Sequence, residues 1–367
     1  MTKREEEILS WIEENPLISQ QELAKRANIT RSSVGVHISN LMKKGLIQGK
    51  GYIISKDPYI CVIGGVNLDI FGYPNNQLIP KDSNVGKVNY CYGGVGRNIA
   101  HCLKLLGKNV KLITAFGEDN SASEIKRNCR DLSIDIINSL TVIGGSTSTY
   151  LSIANENRDM EIAISDMEIY ESVTPLFMSS KLDVINRANI CVMDTNLPQK
   201  TIEFIANNIT VPLFIDTVSA TKSKKIVNIL NKIHTLKPNK IEAEFLTGIR
   251  IVDESSLKRA AEKLLSFGIK KVFISLGDKG VFCADKTSSI FLPPIPARVV
   301  NATGAGDCFM AALAWSYDQG YSTRQMACAG AICSSICVES KDTVSSKISE
   351  SAVLGLIEKY NSVNKLY

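Results

Sequence analysis

Residues 301–313 read Asn301-Ala302-Thr303-Gly304-Ala305-Gly306-Asp307-Cys308-Phe309-Met310-Ala311-Ala312-Leu313. A turn of small residues runs straight into an apolar helix. Backbone N–H groups at a helix N-terminus lack intrahelical partners, and the macrodipole favours negative charge there. Gly304, Ala305 and Gly306 carry little bulk, so a phosphate can come close to those groups. Asp307 stands in the first turn, beside this anion site. A carboxylate so placed can take the proton of an attacking hydroxyl while the N–H groups stabilise charge on a transferring phosphoryl group. The same residues also suit a plain helix start in which Asp307 answers the dipole, and the stretch alone does not separate the two.

Upstream of it, strands and helices alternate. Short apolar runs at 59–63, 110–115, 190–193, 213–216, 235–237 and 272–276 read as buried strands. Helical periodicity appears at 95–106, 121–129, 199–207, 224–232 and 254–267. This order predicts an α/β domain with a parallel sheet covered on both faces. Segments 84–92, 148–153 and 161–164 break the alternation and read as polar β-hairpins, a small β lid over the mouth of the domain.

Residues 1–56 read as a separate unit. A helix over 5–14 carries Ile8, Leu9, Trp11 and Ile12 and stops at Asn15-Pro16. Ser19 caps a second helix over 20–27, with Glu22 placed for a capping box. Thr30 caps a third over 31–44, and 46–54 reads as a hairpin around Gly49-Lys50-Gly51. Three helices and a wing are the order of a winged helix-turn-helix, whose third helix enters the DNA major groove. Arg31, Ser32, Ser33, His37, Asn40 and Lys43 would line its exposed face, with Lys44 and Lys50 near phosphates. The segment holds nine Lys or Arg against six acids. A helical appendage used for dimerisation or regulatory contact fits the same pattern. The break at Lys56-Asp57-Pro58 divides the chain into domains 1–56 and 57–367.

Composition narrows the classes. Hydrophobic residues make up 44%, enough for a buried core, and the net charge of +5 is too small for a nucleic-acid surface over the whole chain. No apolar run reaches the roughly 18 residues of a membrane span, and the charged N-terminus lacks a signal region, so a cytoplasmic protein is expected. The ten cysteines lie in apolar segments without a CxxC pair and read as buried thiols. Neither a GxGxxG fingerprint nor a Walker A sequence occurs, which leaves the Gly304–Asp307 turn to bind phosphate.

Val300-Asn301-Ala302-Thr303-Gly304-Ala305-Gly306-Asp307-Cys308-Phe309 resembles the C-terminal signature of the ribokinase-like (PfkB-type) kinases. Tyr92-Gly93-Gly94-Val95-Gly96-Arg97-Asn98-Ile99-Ala100 resembles their N-terminal signature, and Asn239-Lys240-Ile241-Glu242 their Asn-x-x-Glu element. The three stand in the family's order, and the likeness runs from Tyr59 to the end. It implies a ribokinase-like fold and ATP-dependent phosphorylation of an alcohol group, with magnesium and a monovalent cation such as potassium. Asp307 would be the base, with Gly304, Ala305 and Gly306 as its anion hole. Asn67, Asp69, Gly93, Gly94 and Asn98 would hold a polyhydroxy substrate. Glu242 would hold magnesium through water, with Asn239, Thr303 and the Ser275–Gly280 turn (Ser275, Gly277, Gly280) beside the nucleotide. One departure is Gly96, where many relatives have a small non-glycine residue; it is expected to loosen the helix start.

Stretches around Thr147–Ile153, Ile164–Ile169, Asp194–Pro198 and Asp216–Lys222 resemble the pseudouridine kinases, a branch of that family that also carries N-terminal winged helices. The resemblance implies a nucleoside substrate, modified-nucleoside salvage, and Tyr150, Asp166 and Asn196 near the base. Lid packing and a turn explain Tyr150 and Asp166 as well. A ribokinase or other sugar kinase and a nucleoside-sensing regulator of an operator remain rival readings. A homodimer is expected, because winged helices that read palindromes work in pairs and lids of the family pair.

Overall fold

The computed structural model describes residues 1–49 and 57–364, with side chains as far as Tyr360. Three helices, Lys3–Glu14, Gln20–Ala27 and Arg31–Lys43, form the N-terminal module. Ile8, Ile12, Leu23, Val34, Ile38 and Leu41 close a core of their own. Thr30 caps the third helix through the Ser33 N–H, as its position predicts. The box expected at Ser19 is half formed. Ser19 accepts from the Glu22 N–H, while the Glu22 carboxylate pairs with Arg26 one turn on. The complete box lies one helix earlier, between Thr2 and Glu5. The expected wing falls largely on residues 50–56, outside the described residues.

β1 (Tyr59–Ile63) opens the large domain, and β2 (Asn67–Pro74) and β3 (Gly86–Gly93) rise from it into an accessory sheet. β4 (Asn109–Ile113) returns to the main sheet. The short β5 (Ala115–Phe116) and β6 (Leu140–Thr141) pair with each other, and β7 (Thr149–Ala154) and β8 (Met160–Asp166) complete the accessory sheet. β9 (Ile190–Asp194), β10 (Leu213–Asp216), β11 (Thr235–Lys237), β12 (Lys271–Ser275), β13 (Val281–Asp285) and β14 (Ser289–Leu292) follow. The main sheet runs β14-β13-β12-β11-β10-β9-β1-β4. It is parallel from β4 to β12, and β13 and β14 add an antiparallel edge.

Both faces of this sheet are covered, which is why its strands read as unbroken apolar runs. Ile60, Val62, Val192 and Phe214 pack under the helices Val95–Leu105, Ala305–Asp318 and Thr323–Val338. Cys61, Ile63, Met193 and Ile215 pack under Gln199–Asn208 and Glu254–Ser266. The accessory sheet, ordered β3-β2-β7-β8, is the expected lid, with β2 as an added member. β2 escapes sequence reading because its Gly64–Asp69 approach looks like a turn. All ten cysteines are free thiols, nine of them buried. No helix among the described residues is long and apolar enough to cross a membrane.

Trp315 is fully buried on the helix that begins beside Asp307, edge-on to Tyr321 at 5.7 Å. Trp315→Ala should therefore cost about 3–5 kcal/mol, read as a lower urea midpoint for the large domain.

Candidate active site

The site is built on the C-terminal ends of the central strands, where parallel α/β sheets bind ligands. Register sets Asp216 beside both Asp194 and Lys237, all on the face that carries the Ala305–Asp318 helix. Asp194 accepts from the N–H groups of Gly65 and Asn196 and so shapes the loop after β1. The Tyr170 hydroxyl pins the same loop through both backbone groups of Val66.

Above this row stands the Gly304–Asp307 turn. Gly304 is the N-cap, left-handed at φ 83°, and no side chain caps the helix. A Cβ at 304 would lie 1.9 Å from the Thr343 carbonyl oxygen, so only glycine fits. The Ala305 N–H turns back to the Ala302 carbonyl at 3.4 Å, and the Gly306 and Asp307 N–H groups that follow suit an anion such as a nucleotide phosphate. Asp307 Oδ2 accepts from Asn98 Nδ2 at 2.8 Å. Burial, and then the Asp216 carboxylate, push Asp307 up to about 8, against the Asn98 hydrogen bond and the Lys237 ammonium. A carboxyl poised there can exchange a proton near neutral pH.

Asn98 is held from the other side by Arg97, whose guanidinium also donates to the Tyr92 carbonyl and the Asn128 side chain. Its carbonyl thus accepts from Arg97 while its amide ties Asp307 to the Val95–Leu105 helix. Asp69 is buried, with the Asn67 amide on its Oδ1 and Gly93 beneath its Oδ2. Burial pushes Asp69 up to about 7, against the Asn67 amide and the Arg97 guanidinium. Gly94, at φ 95°, passes the Gly65 carbonyl so closely that a Cβ would stand 2.4 Å from it. Gly96 likewise lets its helix sit on Gly64: a Cβ would meet that backbone at 2.8 Å. The expected loosening at Gly96 is thus corrected to a close packing that needs glycine.

Tyr150 pairs with Asp69 across β2 and β7 and shares its face of the lid. Its hydroxyl donates to the Met160 sulfur at 3.3 Å. Asp166 pairs with Thr149, one residue out of phase, so the strand alternation puts it on the opposite face, exposed. The register does not bring it to Asp69. Asn196 sits against Gly65, not under the lid, and its Oδ1 accepts from Lys222 at 2.6 Å.

At the other end of the cleft, Asn239 and Glu242 form a full capping box. Glu242 Oε1 accepts from Asn239 Nδ2, and Oε2 from the Asn239 N–H and the Thr217 hydroxyl. Three of the roughly four lone-pair sites of a carboxylate are then in use. That leaves a fit for magnesium through its water shell and none for bidentate ligation. No group of three or more His, Cys, Asp or Glu residues gathers as a metal cage among the described residues. Ser275 bridges to Asn239 as a β partner. Gly277 and Gly280, at φ 63° and 101°, turn β12 into β13. The Thr303 N–H donates to Asn301 Oδ1, which leaves its side chain exposed beside the anion turn.

On the N-terminal module, Arg31, Ser32 and Lys43 are exposed, while Ser33 and His37 are half-buried and Ser33 is tied to Thr30. Lys44 is not available to phosphates. Its ammonium lies 3.0 Å from Glu5 and 3.1 Å from Asp183 of the large domain, so it joins the two parts of the chain. Lys50 is outside the described residues.

Sequence reading missed Asp194, Asp216, Thr217, Lys222 and Lys237. The signal was there: apolar strands that end on a charged residue, at the edge where a parallel sheet binds ligands.

Comparison with known proteins agrees with this geometry. The pfkB family carbohydrate kinase model matches residues 57–350, and a winged helix-turn-helix DNA-binding model matches residues 1–48. An Escherichia coli protein described as the uncharacterized sugar kinase YeiI is 38% identical over 92% of this chain and 93% of its own length. The pseudouridine kinase of Escherichia coli is 35% identical over 83% of this chain and 98% of its own length. The structure of Arabidopsis thaliana ribokinase complexed with ribose and ATP superposes with a TM-score of 0.74, over 82% of this chain and 99% of that one. At 23% identity it shows the fold alone. With a family model spanning nearly all of the large domain, and a helix module of its own in front, this chain belongs to the pfkB family of carbohydrate kinases.

Proposed function

We propose that the chain transfers the γ-phosphoryl group of ATP to the 5′-hydroxyl of a nucleoside, pseudouridine, giving pseudouridine 5′-phosphate and ADP. The observation that carries the reading is the Asn98–Asp307 hydrogen bond, which joins a half-buried carboxylate at an uncapped helix start to a polar substrate pocket under a lid. The choice of pseudouridine rests on the kinship with the Escherichia coli pseudouridine kinase.

Asp69 and Asn67 hold ribose hydroxyls at the base of the lid, and Gly93 and Gly94 let the sugar lie against the backbone. Asp307 takes the proton of the 5′-hydroxyl as its oxygen bonds to phosphorus. The bond from phosphorus to the leaving ADP oxygen breaks on the opposite side. The N–H groups of the Ala305 helix stabilise the charge that spreads over the phosphoryl oxygens. Glu242, through water, and Asn239 would hold magnesium, which supplies charge to neutralise the nucleotide. The lid closes over the acceptor and keeps water from competing for the phosphoryl group.

The face of the lid opposite Asp69 carries Tyr90, Ile70, Leu151 and Ile164 in one cross-strand row and Val88, Ile153 and Ile162 in the next. Tyr90, Val88, Ile162 and Ile164 are exposed there, which supports pairing of two copies through their lids. The module's free Arg31 and Lys43 support operator binding.

Asp307→Asn should lower ATP turnover about 10²–10⁴-fold on the best member of a panel of pseudouridine, uridine and ribose, with acceptor binding kept. Turnover of ribose and not pseudouridine would replace the substrate and leave the base in place. The base must be ionised to act, so kcat/KM should rise with pH through about 8. Removing the repelling charge in Asp216→Asn lets the carboxylate form sooner and should move that limb to lower pH. For the module, Arg31→Ala and Lys43→Ala should each weaken binding to DNA from the upstream region of its own gene. If the substituted side chain meets a phosphate, the log–log salt slope should fall by about one in that variant.

A further inference from the structure

Lys237 ends β11 and is 6% exposed. Its ammonium lies 3.1 Å from the Asp216 carboxylate, its ion-pair partner among the described residues. A Cβ on Gly306 would stand 3.2 Å from the same nitrogen, so the lysine reaches the second residue of the anion-site helix from beneath. The next residue is Asp307. An ammonium has three donors and no acceptor, and its contact with Asp216 is a charge pair in which Asp216 Oδ2 accepts no hydrogen bond among the described residues. A basic side chain is thus kept under an uncapped helix start, with donors unspent, at a glycine whose missing side chain leaves the way open. A pair kept only to hold the fold gains little from such a place, since buried ion pairs repay their desolvation poorly.

We propose that Lys237 is a further catalytic residue: anchored by Asp216, its ammonium donates to a non-bridging oxygen of the phosphoryl group as that group passes from ADP to the acceptor hydroxyl. The lysine forms no covalent bond and keeps its proton; the acceptor's proton goes to Asp307. The charge on the phosphoryl oxygens is met from two sides, by the helix N–H groups above and by Lys237 below. Gly306 follows from the same arrangement, because any side chain there would stand between lysine and phosphate. The inference rests on the kinase assignment and not on the choice of pseudouridine.

The test compares wild type, Lys237→Met and the Lys237→Met/Asp216→Asn double variant, which removes both charges and covers the case where a lone buried aspartate unfolds the single variant. Two readouts are taken: turnover on the best acceptor, and the melting temperature with MgADP alone and with MgADP plus aluminium fluoride, a mimic of the transferring group. The expected result is a fall in kcat of about 10²–10³-fold in both variants, with the acceptor KM changed by less than about threefold. The MgADP shift should be retained and the extra fluoride shift lost. Full activity in the double variant would mean that Lys237 only neutralises Asp216, and would overturn the proposal. So would a fluoride shift equal to wild type in either variant. If no panel member is turned over by wild type, the substrate reading fails, while the fluoride comparison still decides the role of Lys237.

Discussion

The hydrogen bond from Asn98 to Asp307 ties the start of the helix after the lid strand to the start of the helix with the glycine turn, two helices that also meet where the Cys102 thiol faces the Cys308 carbonyl. Asn98 opens the helix after the lid strand β3, and Asp307 opens the helix that begins at the uncapped Gly304 turn. Each depends on glycines that allow close backbone approach: Gly94 and Gly96 against the loop after β1, and Gly304 against Thr343. Loss of any of these approaches would separate acceptor from base. Asp194, Asp216 and Lys237 stand in register at the ends of β9, β10 and β11; burial first and the Asp216 carboxylate second raise Asp307 out of the ordinary carboxylate range, and Lys237 opposes them.

Much of this is legible in the residues. Buried parallel strands appear as apolar runs because both faces are covered, and 59–63, 213–216 and 235–237 read to the residue. The Gly304–Asp307 turn suits an anion site by its local chemistry, as it suits a plain helix start, and the three motifs in order separate the two readings. What stays hidden depends on pairing. β2 begins inside a glycine turn, and its strand character comes from β3 and β7 on either side. β13 reverses direction at Gly277 and Gly280 and β14 again at Asp285–Ser288, which a βα rhythm does not anticipate. Likeness of sequence puts Asp166 near the base, and a shift of one residue in register turns it away. Lys237 and Asp216 look like ordinary strand ends until the sheet puts them side by side.

The N-terminal module shows the same limit. Its three helices follow from caps and periodicity, and its core is self-contained. Lys44 reads as a phosphate contact because it is basic and near the reading helix. In the folded chain it bridges Glu5 and Asp183. Arg31 and Ser32 lie exposed at the other terminus of that helix from Lys44, while the exposed Lys43 stands beside the contact with the large domain.

The central claim is that acceptor hydroxyl, Asp307 and the uncapped helix start meet at one point. A crystal structure of the chain with pseudouridine, MgADP and aluminium fluoride tests it most directly. The account predicts the fluoride group within hydrogen-bond distance of the Gly306 and Asp307 N–H groups, with the 5′-oxygen in line behind it and in contact with the Asp307 carboxylate. A fluoride group bound away from that helix, or an acceptor hydroxyl that does not reach Asp307, would contradict it.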